Sequence, residues 1–152
     1  MPLPVAALLR SAGLKVAGHV LWKDTLPTRS PGIYIIARVP NADDHMAPSV
    51  SVELLPEDLR RRWLFDESVV YIGRTKRSLR GRLSAFYRHV HGRRSPHAGG
   101  QSLLLLLEHD ICPLWVYWTE IAAEAVADAE GKLIQAFKAH TGGRRPFANS
   151  AG

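Results

Sequence analysis

Cysteine is almost absent from this 152-residue chain. The lone Cys112 cannot close an internal disulfide, and no Cys/His cluster has zinc-ligand spacing, so a disulfide scaffold and a structural zinc site are both excluded. A reducing compartment, and with it a cytoplasmic location, is the expectation. Long apolar runs are missing too. Val5 to Trp22 is mildly apolar, but Arg10, Lys15 and His19 interrupt it, so neither a signal peptide nor a membrane span is expected. No internal repeat or low-complexity segment is present, and the length suits one compact domain, 1–152. The sharpest absence is of negative charge: residues 68–107 contain no Asp or Glu.

Into that gap crowd Arg74, Lys76, Arg77, Arg80, Arg82, Arg88, Arg93 and Arg94, interleaved with Tyr71, Phe86 and Tyr87. A solvated helix face normally mixes signs, because like charges one turn apart repel. With a formal charge of +6, the clustering points to a polyanionic partner.

Hydrophobic patterning predicts an α+β fold. Residues 1–31 form an N-terminal extension with a short helix around Pro4 to Ala12 and a segment around His19 to Trp22 that can form a strand. Ile33 to Val39 and Ser68 to Ile72 are β-branched runs stopped by Pro40 and Gly73, and are expected to be neighbouring antiparallel strands. Between them lies an insertion of about 40–67, with a short helix expected at Pro56 to Trp63, where acidic residues precede basic ones. The insertion is expected either to help choose a substrate or to cover a sheet edge. Leu79, Leu83, Phe86 and Val90 make one helical stripe, with Thr75 or Ser78 as N-cap. Arg82 and His89, seven apart, share one edge of it. Gln101 to Leu107 is a largely apolar run that periodicity cannot assign to helix or strand, and a helix is the expectation; Leu114 to Ile121 reads as a third strand and Ala122 to His140 as a closing helix ended by Gly142-Gly143. The expected architecture is a small, mainly antiparallel three-stranded sheet flanked by helices.

On the closing helix, a helical wheel puts Glu130 among Val126, Leu133, Ile134 and Phe137 rather than with Glu124, Asp128, Lys132 and Gln135. A carboxylate buried there requires a cation, either a metal ion or an arginine.

Gly32-Ile33-Tyr34, Tyr71-Ile72-Gly73, Leu79-Arg80-Gly81-Arg82, Glu130-Gly131-Lys132-Leu133-Ile134 and Pro146-Phe147-Ala148-Asn149 follow one another in an order that resembles the GIY-YIG nuclease family. The resemblance covers most of the chain from residue 32 onward. It implies a metal-dependent endonuclease acting on nucleic acid, foremost DNA, with no membrane partner. Tyr34, helped by Tyr71, would orient the attacking water; Arg82 would stabilise phosphate charge; and Glu130 would hold one Mg²⁺ or Mn²⁺. Gly32, Gly73 and Asn149 would support the site. With a single suitable carboxylate, a two-metal mechanism is disfavoured.

The chain departs from the family pattern in three ways: the long insertion, one extra residue before Arg82, and Phe86 where a His or Tyr is common. The extra residue leaves Arg80 as a substitute for Arg82, and the Phe leaves Tyr87 or His89 as the fourth catalytic group. Arg74, Lys76, Arg77, Arg80, Arg88, Arg93 and Arg94 would bind the nucleic-acid backbone. Two rival readings are a noncatalytic DNA- or RNA-binding module that keeps the fold and an interaction domain for an acidic protein.

Overall fold

The computed structural model describes residues 2–88 and 100–149. Its centre is a four-stranded antiparallel sheet of β1 (Gly18–Leu21), β2 (Gly32–Ala37), β3 (Val69–Thr75) and β4 (Trp115–Glu120), in the order β1-β4-β2-β3. The helices are α1 (Val5–Arg10), α2 (Glu57–Arg62), α3 (Leu79–Tyr87), α4 (Gly100–Glu108) and α5 (Val126–His140), the last preceded by a 3₁₀ turn over Ala123–Ala125. No described helix is long and apolar enough to cross a membrane. The expected pairing of the two motif strands holds, with Tyr34 opposite Gly73 and Ile36 opposite Tyr71.

The sheet has four strands, not three. The added strand is the segment at Gly18–Leu21, which pairs with β4 from Gly18 opposite Trp118 to Leu21 opposite Trp115. Its alternating half-buried and exposed residues carry little apolar signal, and its partner lies almost a hundred residues away, so pairing depends on the tertiary fold.

Strand alternation divides the core between the two faces of the sheet. Ile33, Ile35, Ala37 and Ile72 pack with α1 and α5, whereas Tyr34, Ile36, Tyr71 and Trp118 pack with α3 and α4. A register shift beside Ile36 and Ala37 lets Val70 and Tyr71 both join the second face.

The insertion belongs to the core rather than decorating it. Val52, Leu55, Leu59 and Trp63 are buried with Tyr34, Tyr71 and Phe147, and the Trp63 ring meets Phe147 edge-on at 5.1 Å between centroids. The buried Arg38 guanidinium lies over Trp63 at 4.8 Å and donates to the Pro48 carbonyl at 2.7 Å, fastening the strand end to the insertion. Burial lowers the Arg38 pKa.

Candidate active site

Two glycines set the spacing of the site. A Cβ on Gly73 would fall inside the Tyr34 ring, and one on Gly32 would strike the Thr119 carbonyl and approach a Leu79 methyl at 2.9 Å. The first glycine lets the Tyr34 side chain cross β3. The second lets β2, β4 and the start of α3 close on one another.

Helix α3 is held by local bonds that aim Arg82. Ser78 caps it, its Oγ accepting from the Gly81 amide at 3.0 Å. The Leu79 and Arg80 amides donate to the Ser30 and Thr28 carbonyls, both at 2.9 Å, so the approach to β2 is tied to the first turn of the helix. Leu79, Leu83 and Phe86 face the core, as their spacing predicts. Arg82 then points its Nε at the Tyr34 hydroxyl, 3.4 Å away. Arg80 turns elsewhere and donates to the Leu26 carbonyl at 2.9 Å. Of the two arginines the sequence left open, Arg82 is the one that reaches Tyr34.

Tyr34 is fully buried, with the Tyr71 ring 6.0 Å away and its hydroxyl within hydrogen-bonding reach. Burial pushes the Tyr34 pKa up, while Arg82 and the hydrogen bond from Tyr71 pull in the opposite direction. Burial also pushes Tyr71 up, and the neighbouring Tyr34 adds to the effect. Both groups are therefore neutral phenols at physiological pH. Tyr34 accepts from Arg82 and Tyr71, so of the pair it is the one whose anion the surroundings favour. The Glu130 charge adds to the upward shift of both hydroxyls.

The surroundings of Glu130 differ from the helical-wheel reading. Val126, Ala129, Leu133 and Phe137 form the buried row of α5, with Ala129 at its centre and Glu130 at its margin, 20% exposed. Its Oε1 accepts from Arg74 Nη1 at 2.6 Å. Of the two cations open to it, the described structure supplies the arginine. Arg74 follows Gly73 on the face that carries Ile72 and α5, so alternation along β3 was the signal for this pair. Arg74, expected on the nucleic-acid face, is 44% exposed and also pairs with Glu130.

Asn149 grips the outer edge of β3. Its Oδ1 accepts from the Ile72 amide and its Nδ2 donates to the Ile72 carbonyl, both at 2.9 Å, while the Ala148 amide donates to the Val70 carbonyl at 2.8 Å. A side-chain amide thus completes the ladder beside Tyr71 and Gly73.

Tyr87 turns away from the site: its hydroxyl donates to the Asp24 carbonyl at 2.9 Å and its ring meets Trp22. His89, Arg93 and Arg94 lie outside the described residues. Lys76, Arg77 and Arg88 are solvent-exposed.

Among the described residues, no group of three or more His, Cys, Asp or Glu side chains could hold a metal ion. One partly exposed carboxylate suits a hard divalent ion that keeps most of its waters and leans on substrate phosphate. It does not suit zinc. No family model, curated protein or solved structure matches the chain.

Proposed function

We propose that the protein hydrolyses nucleic-acid phosphodiester bonds, foremost those of DNA, with a GIY-YIG-type centre. One observation carries this reading: the fully buried Tyr34 hydroxyl accepts from Arg82 Nε, with the Tyr71 ring 6.0 Å away and its hydroxyl within hydrogen-bonding reach. A core tyrosine needs one hydrogen-bond partner, and a half-buried arginine aimed at it suits oxyanion chemistry better than packing.

In this reading Arg82 leaves its 3.4 Å contact, long for a hydrogen bond, and donates to the phosphate as negative charge develops. Tyr34, neutral because it is buried, positions the attacking water once the departing Arg82 uncovers its hydroxyl, and Tyr71 holds Tyr34 in orientation. Glu130 would hold a single Mg²⁺ or Mn²⁺, with Arg74 sharing or releasing the carboxylate. Such an ion supplies Lewis-acid stabilisation of the leaving oxygen. Lys76, Arg77 and Arg88 would meet the flanking backbone.

A noncatalytic nucleic-acid-binding module draws support from the Arg74–Glu130 pair, which satisfies the carboxylate without a metal. The deciding experiment incubates single-stranded, duplex and flapped DNA and RNA with Mg²⁺, Mn²⁺ or EDTA, using the parent protein and Arg82→Gln. The expected result is divalent-dependent cleavage that Arg82→Gln lowers at least about 100-fold, the scale of losing one transition-state donor. Binding without cleavage of any substrate would select the module.

A further inference from the structure

A second cationic site lies where α2, the end of α5 and the C-terminal segment meet. Arg62, Lys138, Arg144 and Arg145 line a pocket of about 270 Å³ together with Gly143, Pro146 and Asn149. Among the described residues that line it, none is acidic. Asp66 and Glu67 line an adjoining pocket that shares Arg144, but Glu67 is engaged by the Leu3 amide at 2.9 Å and lies 3.6 Å from His140.

The carbonyls at the end of α5 attract cations, which accounts for one or two of the four. Arg144 is further held by the Arg61 carbonyl at 2.6 Å. Arg62 stands over the Phe147 ring at 5.9 Å and donates to Ser102 Oγ at 2.8 Å, yet its buried Nε has no hydrogen-bond partner. Arg62, Lys138 and Arg145 are all half-buried. Like charges drawn into a concavity without a countercharge repel one another and lose hydration, so the arrangement calls for an anion.

We infer that this pocket binds a phosphate group, and that the phosphate belongs to the backbone of the nucleic acid whose scissile bond lies at Tyr34 and Arg82. The identity of the phosphate donor rests on the proposed function; the phosphate chemistry does not. Asn149 links the two places, since it lines the pocket while its amide grips Ile72 between Tyr71 and Gly73. Lys138 follows Glu130 by eight residues on α5, roughly 12 Å along the helix axis. That is about three to four nucleotide steps along one duplex strand.

The test uses Lys138→Gln combined with Arg145→Gln, sparing Arg62 and Arg144, and a charge-preserving control, Lys138→Arg with Arg145→Lys. In EDTA, fluorescence anisotropy measures binding of labelled single-stranded and duplex oligonucleotides over a salt series. Calorimetry measures inorganic phosphate and pyrophosphate. The neutral pair should bind oligonucleotide about tenfold more weakly, with a salt slope shallower by roughly one to two, while the control keeps parental values. If only inorganic phosphate binding depends on the pair, the phosphate chemistry stands and the source is a free anion. Parental oligonucleotide and phosphate binding in the neutral pair overturns the inference, as does failure of the parent to bind either. Cleavage that Arg82→Gln leaves intact sinks the hydrolytic reading alone, whatever the pocket does.

Discussion

Replacing Glu130 by Gln separates a catalytic carboxylate from a structural one, and the structure sets the magnitudes. The Glu130–Arg74 contact is short at 2.6 Å, but the side chains are 20% and 44% exposed. An ion pair so open to water contributes at most about 1 kcal/mol. Gln keeps an oxygen that can accept from Arg74, so part of that survives as a neutral hydrogen bond. Melting should therefore shift by no more than roughly 2–4 °C. Nucleic-acid binding should be unchanged or modestly tighter, because one negative charge leaves and Arg74 is released. Cleavage should fall at least about 100-fold if Glu130 holds the divalent ion. Thermal melts without metal, binding in EDTA and a cleavage assay on the same preparation read all three. Stability lost by more than about 3 kcal/mol, the scale of breaking a buried pair, would refute the partly exposed description. Cleavage retained within about tenfold would refute the carboxylate's role.

Asn149→Ala should cost about 2 kcal/mol, one for each hydrogen bond to Ile72, and should speed hydrogen exchange at the Ile72 amide; unchanged exchange would show that the clamp does not hold β3. Trp63→Ala should cost about 3–5 kcal/mol, and removing residues 41–65 should abolish the folded circular-dichroism signal, because the insertion supplies core. A folded deletion would contradict that packing. Burial raises Tyr34 and Tyr71 above the ordinary phenol value of 10.0, so the folded state retains protons that the unfolded chain releases. Their contribution to stability is complete below about pH 10 and is lost as pH rises further. Chemical denaturation across that range should show the decline, and Tyr34→Phe should lessen it.

Local pattern alone determined much of this protein. The β-branched runs at Ile33 and Val69 and the α3 stripe with its Ser78 cap specify their elements, because each signal is carried by neighbours in the chain, whereas the largely apolar α4 segment fits helix or strand by periodicity and the fold makes it a helix. The order of the motif residues likewise singled out Tyr34, Tyr71, Arg82 and Asn149, and Asn149 grips the strand that carries Tyr71. Tertiary structure decided what depends on distant partners. Gly18–Leu21 became a strand only because β4 offered an edge, and Trp63 became core only because Phe147 returned to meet it. The wheel erred at Glu130 because a one-position rotation, set by the packing of Ala129 and Leu133 on the sheet, moves a residue from the centre of a face to its rim. Arg74 and Arg80 look alike in sequence to the arginines of an open face, but β3 alternation delivers one to Glu130 and the first turn of α3 delivers the other to Leu26. Arg62, Lys138, Arg144 and Arg145 share no local pattern; only folding gathers their charges into one pocket.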